Sequence, residues 1–291
     1  MTADKDVIQP VIHVGYTKAA SSFLQRYFTE HPDLVLLDRQ PAARMLVCRN
    51  DLGWDEKAAR HYFIKLLRDT EKQGKIPVLS HERLLGNPHS GHYDMEAIAR
   101  RPGWLFPTAR IIIVIREQYD LIASIYKQYI RIGGTRNLTD YTSYFWDTRM
   151  PRFDLQSYCY DRVIELYYNI FGIQNVHIAL FEDLHVSQQT FLEPISKFIG
   201  INVPVNISLD KVNPSIMDNL IDIKRLQNIF LRPHVSFREP GLLSDKNISV
   251  SAGLFVAILK LTEFAVGRKS SIRDSIKRLH CVYYRNSNAC L

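Results

Sequence analysis

The run Arg110-Ile111-Ile112-Ile113-Val114-Ile115 carries an aliphatic side chain at every position after the first, so neither face of a strand built from it can meet water. A strand buried on both faces belongs in the middle of a sheet covered on both sides, which points to a parallel sheet. Three shorter apolar runs fit beside it: residues 10–14 (PVIHV), 75–80 (KIPVLS) and 175–181 (NVHIALF). Helical periodicity falls between them, over residues 21–31, 118–131, 154–171 and 189–199, the last two ending at Gly172 and Gly200. Strands alternating with helices predict an α/β fold, a central parallel sheet with helices on both faces. From about residue 211 the alternation fades, and residues 216–232 and 251–280 read as helices. We therefore expect one domain over 1–291, with a core of about 10–205 and a helical C-terminal extension over about 211–291.

Composition narrows the function classes. Hydrophobic residues make up 46% of the 291 and charged residues 23%, as in an ordinary globular chain. The net charge of +7 suits an anionic partner. The lysines and arginines are scattered, not clustered with aromatics in a recognisable motif, so no nucleic acid is expected. The polar start MTADKDVIQP has no apolar core of a signal peptide. Residues 111–115 are the longest aliphatic run, far short of the ~20 residues of a membrane span. Cys48, Cys159, Cys281 and Cys290 show no metal-binding spacing. A cytoplasmic, reduced setting and no metal are expected, with a Cys281–Cys290 pair a lesser alternative.

In parallel sheets ligands bind at the carboxyl ends of the strands. Lys18, His81, Glu82, Arg116, Glu182 and Asp183 all follow predicted strands. The segment VGYTKAASSFLQRYF, residues 14–28, passes from strand through a small-residue turn into a helix. Backbone N–H groups and the dipole at such a helix start favour an anion. The spacing is not Walker A, because Lys18 comes three residues after Gly15 with no second glycine before it. At the end of the 110–115 strand stands Arg116, with Ser124 eight residues on, and an arginine fork and a hydroxyl can share one phosphate.

Together these two segments resemble the signature motifs of sulfotransferases that use 3′-phosphoadenosine 5′-phosphosulfate (PAPS). The family's first motif is a strand, G-x-x-K-x-G-[ST]-[ST]-x-L and a helix; its second is a buried strand, Arg, and Ser eight residues later. Ala179-Leu180-Phe181-Glu182-Asp183-Leu184 and FLEPISKFIGI (residues 191–201) look like the strand and helix that follow in the family, so the resemblance spans roughly residues 11 to 201. It implies a P-loop-NTPase-like three-layer sandwich. It further implies that Gly15, Tyr16, Thr17, Lys18, Ala19, Ala20, Ser21, Ser22 and Phe23 cradle the 5′-phosphosulfate, and that Arg116 and Ser124 grip the 3′-phosphate. Two departures stand out. Ala20 replaces the family's usual glycine, and the C-terminal R-x-G-x-x-G-D-W segment of the small-molecule enzymes is missing.

On this resemblance Lys18 would neutralise charge growing on the oxygen that leaves sulfur. The acceptor hydroxyl needs a base, and the phrase VLSHERLLG offers Glu82 first and His81 second. Glutamate in this place looks like the heparan-type and other carbohydrate enzymes, so the acceptor expected is a carbohydrate or glycolipid. Arg83 can hold Glu82 ionised or bind an acidic acceptor. Glu182 and Asp183 read as structural. Lys211, Asn213, Ser215, Arg268 and Lys269 could close over the cofactor. The tail over residues 254–279, apolar then basic, is a packed helix pair or a peripheral membrane contact. The rival functions are sulfation of a small molecule or of protein tyrosine, an ATP-using kinase, a non-catalytic relative, and a basic binding module.

Overall fold

The structure, a computed structural model, describes residues 9–48, 50–143, 151–203, 218–231, 271–280 and 283–289. Five strands form one sheet among them: β1 (Val11–His13), β2 (Leu34–Leu36), β3 (Ile76–Ser80), β4 (Arg110–Ile115) and β5 (Val176–Leu180). All neighbours are parallel, in the order β2-β3-β1-β4-β5. Ile111, Ile112, Ile113 and Val114 are 0% exposed, so both faces of β4 are covered, as its unbroken aliphatic run demands. The expected strands recur within one residue at each end. The missed strand, β2, is three residues long and only its first is fully buried, too short to show a period.

Strand order decides where a ligand can sit. After β1 the chain moves toward β2 and β3; after β4 it moves the other way, toward β5. Connections that leave adjacent strands in opposite directions open a crevice at their carboxyl ends. The segments at that switch point are the turn after β1, with Lys18, and the exit from β4, with Arg116.

By contact the described chain separates into two compact units: residues 1–117, 147–212 and 285–291, and residues 118–146 and 213–284. The first holds the sheet and its helices. Helix α1 (Ser21–Glu30) buries Leu24, Tyr27 and Phe28 and packs on β2 and β3. Two helices follow β2, α2 (Arg39–Leu46) and the longer α3 (Glu56–Glu71), capped by Asp38 and Asp55. Helix α4 (Met95–Leu105) precedes β4. The expected helix over 154–171 is broken: Cys159, extended at φ −78° and ψ 91°, separates a 3₁₀ turn (Leu155–Tyr158) from the helix Tyr160–Phe171. A short turn of helix, Asp183–Val186, and the helix Gln188–Ile199 follow β5, the latter closed by Gly200 at φ 86°.

The second unit is helical. Helix α5 (Gln118–Arg131) packs against the helices Ile221–Leu231 and Ile272–Leu279. Lys127 pairs with Asp218 at 2.5 Å and Arg273 with Asp120 at 2.9 Å. Buried Asn228 donates to the carbonyls of Ile130 (2.6 Å) and Gly134 (2.8 Å), which satisfies the end of α5. Of the helix predicted over 216–232, Ile221–Leu231 is helical after a 3₁₀ turn at Asp218–Leu220, and the one predicted over 251–280 is seen from Ile272 to Leu279. Lys211, Asn213, Ser215, Arg268, Lys269, Cys281 and Cys290 lie outside the described residues, as does most of the tail over 254–279. Cys48 and Cys159 are free thiols. Among the described residues no helix is long and apolar enough to cross a membrane.

Candidate active site

The turn after β1 begins as a continuation of the sheet: Val14 N–H still donates to the Ile112 carbonyl at 3.0 Å. Gly15 and Tyr16 are buried, and the Tyr16 ring lies against Tyr158, Tyr160 and His92 while its hydroxyl donates to the Ser157 carbonyl. Tyr16 thus anchors the turn through its side chain and leaves only its backbone to face a ligand. Ala19 N–H closes the turn on the Tyr16 carbonyl at 3.1 Å. Thr17 and Lys18 are half-buried, Ser22 is exposed, and Phe23 packs edge-on against Phe191.

Two non-glycine residues of this turn are left-handed, Lys18 at φ 73° and Ala20 at φ 56°. Ala20 is the N-cap of α1 and replaces the glycine of the resembled motif, so that glycine has a physical reason, which alanine meets only with strain. No side chain among the described residues caps α1, and its first turn holds no acid. Helix starts leave N–H groups unpaired, and a cap usually meets one of them. Ser21 Oγ is buried and unpartnered among the described residues, and so is His13 Nε2. The two face one spot, since a Cβ added at Gly15 would lie 3.1 Å from the first and 2.5 Å from the second. Free amides, an orphaned hydroxyl and a glycine that keeps the space open form a cradle suited to a phosphate.

Arg116 joins this turn from β4. Its Nη1 donates to the Lys18 carbonyl at 3.1 Å, and its guanidinium lies 4.5 Å from the centre of the Phe181 ring. Its own carbonyl accepts from the Tyr160 hydroxyl at 2.5 Å. Glu182 Oε1 accepts from Glu117 N–H at 2.9 Å, a positioning role. Ser124 is half-buried in α5, in the second unit.

At the end of β3 stand His81 and Glu82, with His81 N–H on the His13 carbonyl at 3.4 Å. Arg39, from the start of α2, donates to Glu82 Oε2 at 2.6 Å. Burial would raise the Glu82 carboxyl, but its own backbone N–H and the charge and hydrogen bond of Arg39 outweigh it, so the pKa falls and Glu82 is ionised at pH 7. Burial lowers His81 below its ordinary value, opposed by Glu82 and helped by Arg39 and Arg83. Its Nδ1 accepts from Arg83 N–H at 3.0 Å, so the neutral ring carries its proton on Nε2. In this tautomer Glu82 offers a proton acceptor and His81 a donor. His81 and Arg39, the partner of Glu82, help line a cleft of about 700 Å³, together with Thr29, Leu36, Asp38 and Gln40, among others.

No family model and no curated protein matches the chain. Several solved structures similar to it are sulfotransferases. One, from Alicyclobacillus acidocaldarius, is 21% identical over 67% of this chain and 83% of its own, with a TM-score of 0.49. The sulfotransferase domain of the curacin biosynthetic pathway is 13% identical over 94% of this chain and 98% of its own, with a TM-score of 0.43. A mouse sulfotransferase solved with PAP is 15% identical over 93% of this chain and 89% of its own, with a TM-score of 0.40.

Arg39 was not found from the sequence, nor were Gln25, Ser80 and His13, which connect to it. The available signal was a polar residue inside a buried run: His13 in PVIHV and Ser80 in KIPVLS are both 0% exposed.

Two predictions follow from this geometry. Ala20→Gly relieves the left-handed alanine and raises unfolding free energy by about 1 kcal/mol in urea titration; a loss would contradict the assigned backbone. The second concerns His13, which burial, opposed by Glu82, lowers to about 4, as burial does His92. Between pH 6.5 and about 4 the unfolded chain binds protons at these two positions that the folded chain refuses. Stability is therefore full above pH 6.5 and falls as pH drops through that window, each histidine adding up to about 1.4 kcal/mol per pH unit. His13→Gln should lower the measured slope by about one histidine's share, and an unchanged slope would contradict a buried neutral His13.

Proposed function

We propose that the chain is a sulfotransferase that takes a sulfuryl group from PAPS and delivers it to a hydroxyl of a carbohydrate or glycolipid. One observation carries the reading: among the described residues, the α1 start has no side-chain cap and the buried Ser21 Oγ has no partner, in a turn that Arg116 ties to the neighbouring strand. The sequence resemblance supplies the identity of the anion. The residues present fit it. The amides of the turn and Ser21 would hold the 5′-phosphate, and Arg116, with guanidinium donors to spare, would take the 3′-phosphate that ATP lacks.

Bound there, the donor supplies a sulfuryl group on a phosphate leaving group. Lys18 and the α1 dipole oppose the negative charge that develops as that bond weakens, and such fixed charges act most strongly in the transition state. Glu82, ionised, receives the acceptor proton, while His81 Nε2–H and Arg39 orient the hydroxyl. The hydrogen-bonding side chains of Asp38, Arg39, Gln40 and His81 beside the cleft suit a hydroxyl-rich acceptor.

Calorimetry with 3′,5′-adenosine bisphosphate and AMP tests the donor half. Wild type should bind the bisphosphate about 10- to 100-fold more tightly, the scale of a charged hydrogen-bonded pair, and Arg116→Ala should erase the difference. Equal affinity for the two ligands in wild type would overturn the reading. Glu82→Gln should keep bisphosphate binding while lowering turnover with a responsive acceptor about 10²- to 10⁴-fold. Full turnover would remove Glu82 from the role of base.

A further inference from the structure

A line of polar groups runs beneath the turn. Arg39 Nη2 donates to Glu82, and its Nη1 donates to Gln25 Oε1 at 3.1 Å. Arginine can only donate, so the Gln25 amide must present its oxygen to Arg39 and its nitrogen to the other side. There Gln25 Nε2 donates to Ser80 Oγ at 3.2 Å. Ser80 Oγ lies 2.8 Å from His13 Nδ1, which is the one acceptor for its hydroxyl proton among the described residues. With Ser80 donating, His13 carries its own proton on Nε2. Burial, opposed by Glu82, keeps the ring neutral. Among the described residues that buried N–H has no acceptor, and it faces the space between Gly15 and Ser21.

Both orphans are satisfied together if Ser21 Oγ accepts from His13 and turns its own hydroxyl toward an anion in the cradle. An unmet buried donor is unfavourable, and hydrogen bonds in a chain reinforce one another. We propose that the chain of hydrogen bonds from His13 through Ser80, Gln25 and Arg39 couples occupancy of the anion site to the placement of Glu82. His13 and Gln25 are then positioning residues: neither reaches the reacting atoms, and each acts through its neighbour. The proposal rests on the sulfotransferase reading for the identity of the anion and of the base.

The test uses the full chain and 3′,5′-adenosine bisphosphate as the probe, with binding followed by calorimetry and the Glu82 carboxyl followed by carbon NMR. Bisphosphate should shift the Glu82 resonance in wild type. Gln25→Ala, a change at a half-buried side chain, should bind within about twofold of wild type yet lose that shift. His13→Asn retains a partner for Ser80 but cannot reach Ser21, and should bind about tenfold more weakly; His13→Gln, which reaches further, should recover most of the loss. A Glu82 shift of equal size in wild type and Gln25→Ala would overturn the coupling, as would wild-type affinity in a folded His13→Asn. If wild type binds no bisphosphate at all, the sulfotransferase reading fails, and this proposal with it.

Discussion

Two L-residues at positive φ within three positions, Lys18 and Ala20, are the constraint around which this unit is built. Such conformations cost on the order of 1–3 kcal/mol each and persist only where their surroundings enforce them. Here the enforcement is visible. Val14 remains hydrogen-bonded to β4, Tyr16 is sunk in an aromatic cluster, and Arg116 grips the Lys18 carbonyl. The result of the strain is a helix start with free amides, facing an edge where the sheet connections diverge. A relaxed turn with an ordinary serine or aspartate cap would be more stable, and it would fill the proposed anion site with its own side chain.

The sheet explains why the relevant groups meet. Parallel strands send all their carboxyl ends to one edge, so the turn after β1, the His81-Glu82 pair after β3 and Arg116 after β4 emerge together. Burial then assigns their states. Arg39 and a backbone N–H keep Glu82 ionised despite partial burial, and the Arg83 amide fixes which nitrogen of His81 holds the proton. On the proposed sulfotransferase reading, charge and tautomer are therefore set before any acceptor arrives, which is what electrostatic preorganisation requires.

Much of this could be read from residues in order. The aliphatic run 110–115 announced a doubly covered strand, and the turn between β1 and α1 showed its helix start and its lysine locally. What could not be read were pairings made by distant segments. His13, Ser80, Gln25 and Arg39 come from four elements, and no local pattern links them; only the oddity of a histidine and a serine in buried strands marks the place. The left-handed state of Ala20 had no local sign beyond the glycine that it replaces in the resembled motif, because alanine itself gives no indication of positive φ. The break at Cys159 was hidden because the residues on both sides keep a helical period.

The most direct measurement is a crystal structure of the full chain grown with 3′,5′-adenosine bisphosphate. The 5′-phosphate is expected at the start of α1, within hydrogen-bond reach of Ser21 Oγ and the amides of the turn, with the 3′-phosphate on Arg116. A bisphosphate bound elsewhere, with Ser21 Oγ still unpartnered, would contradict this placement.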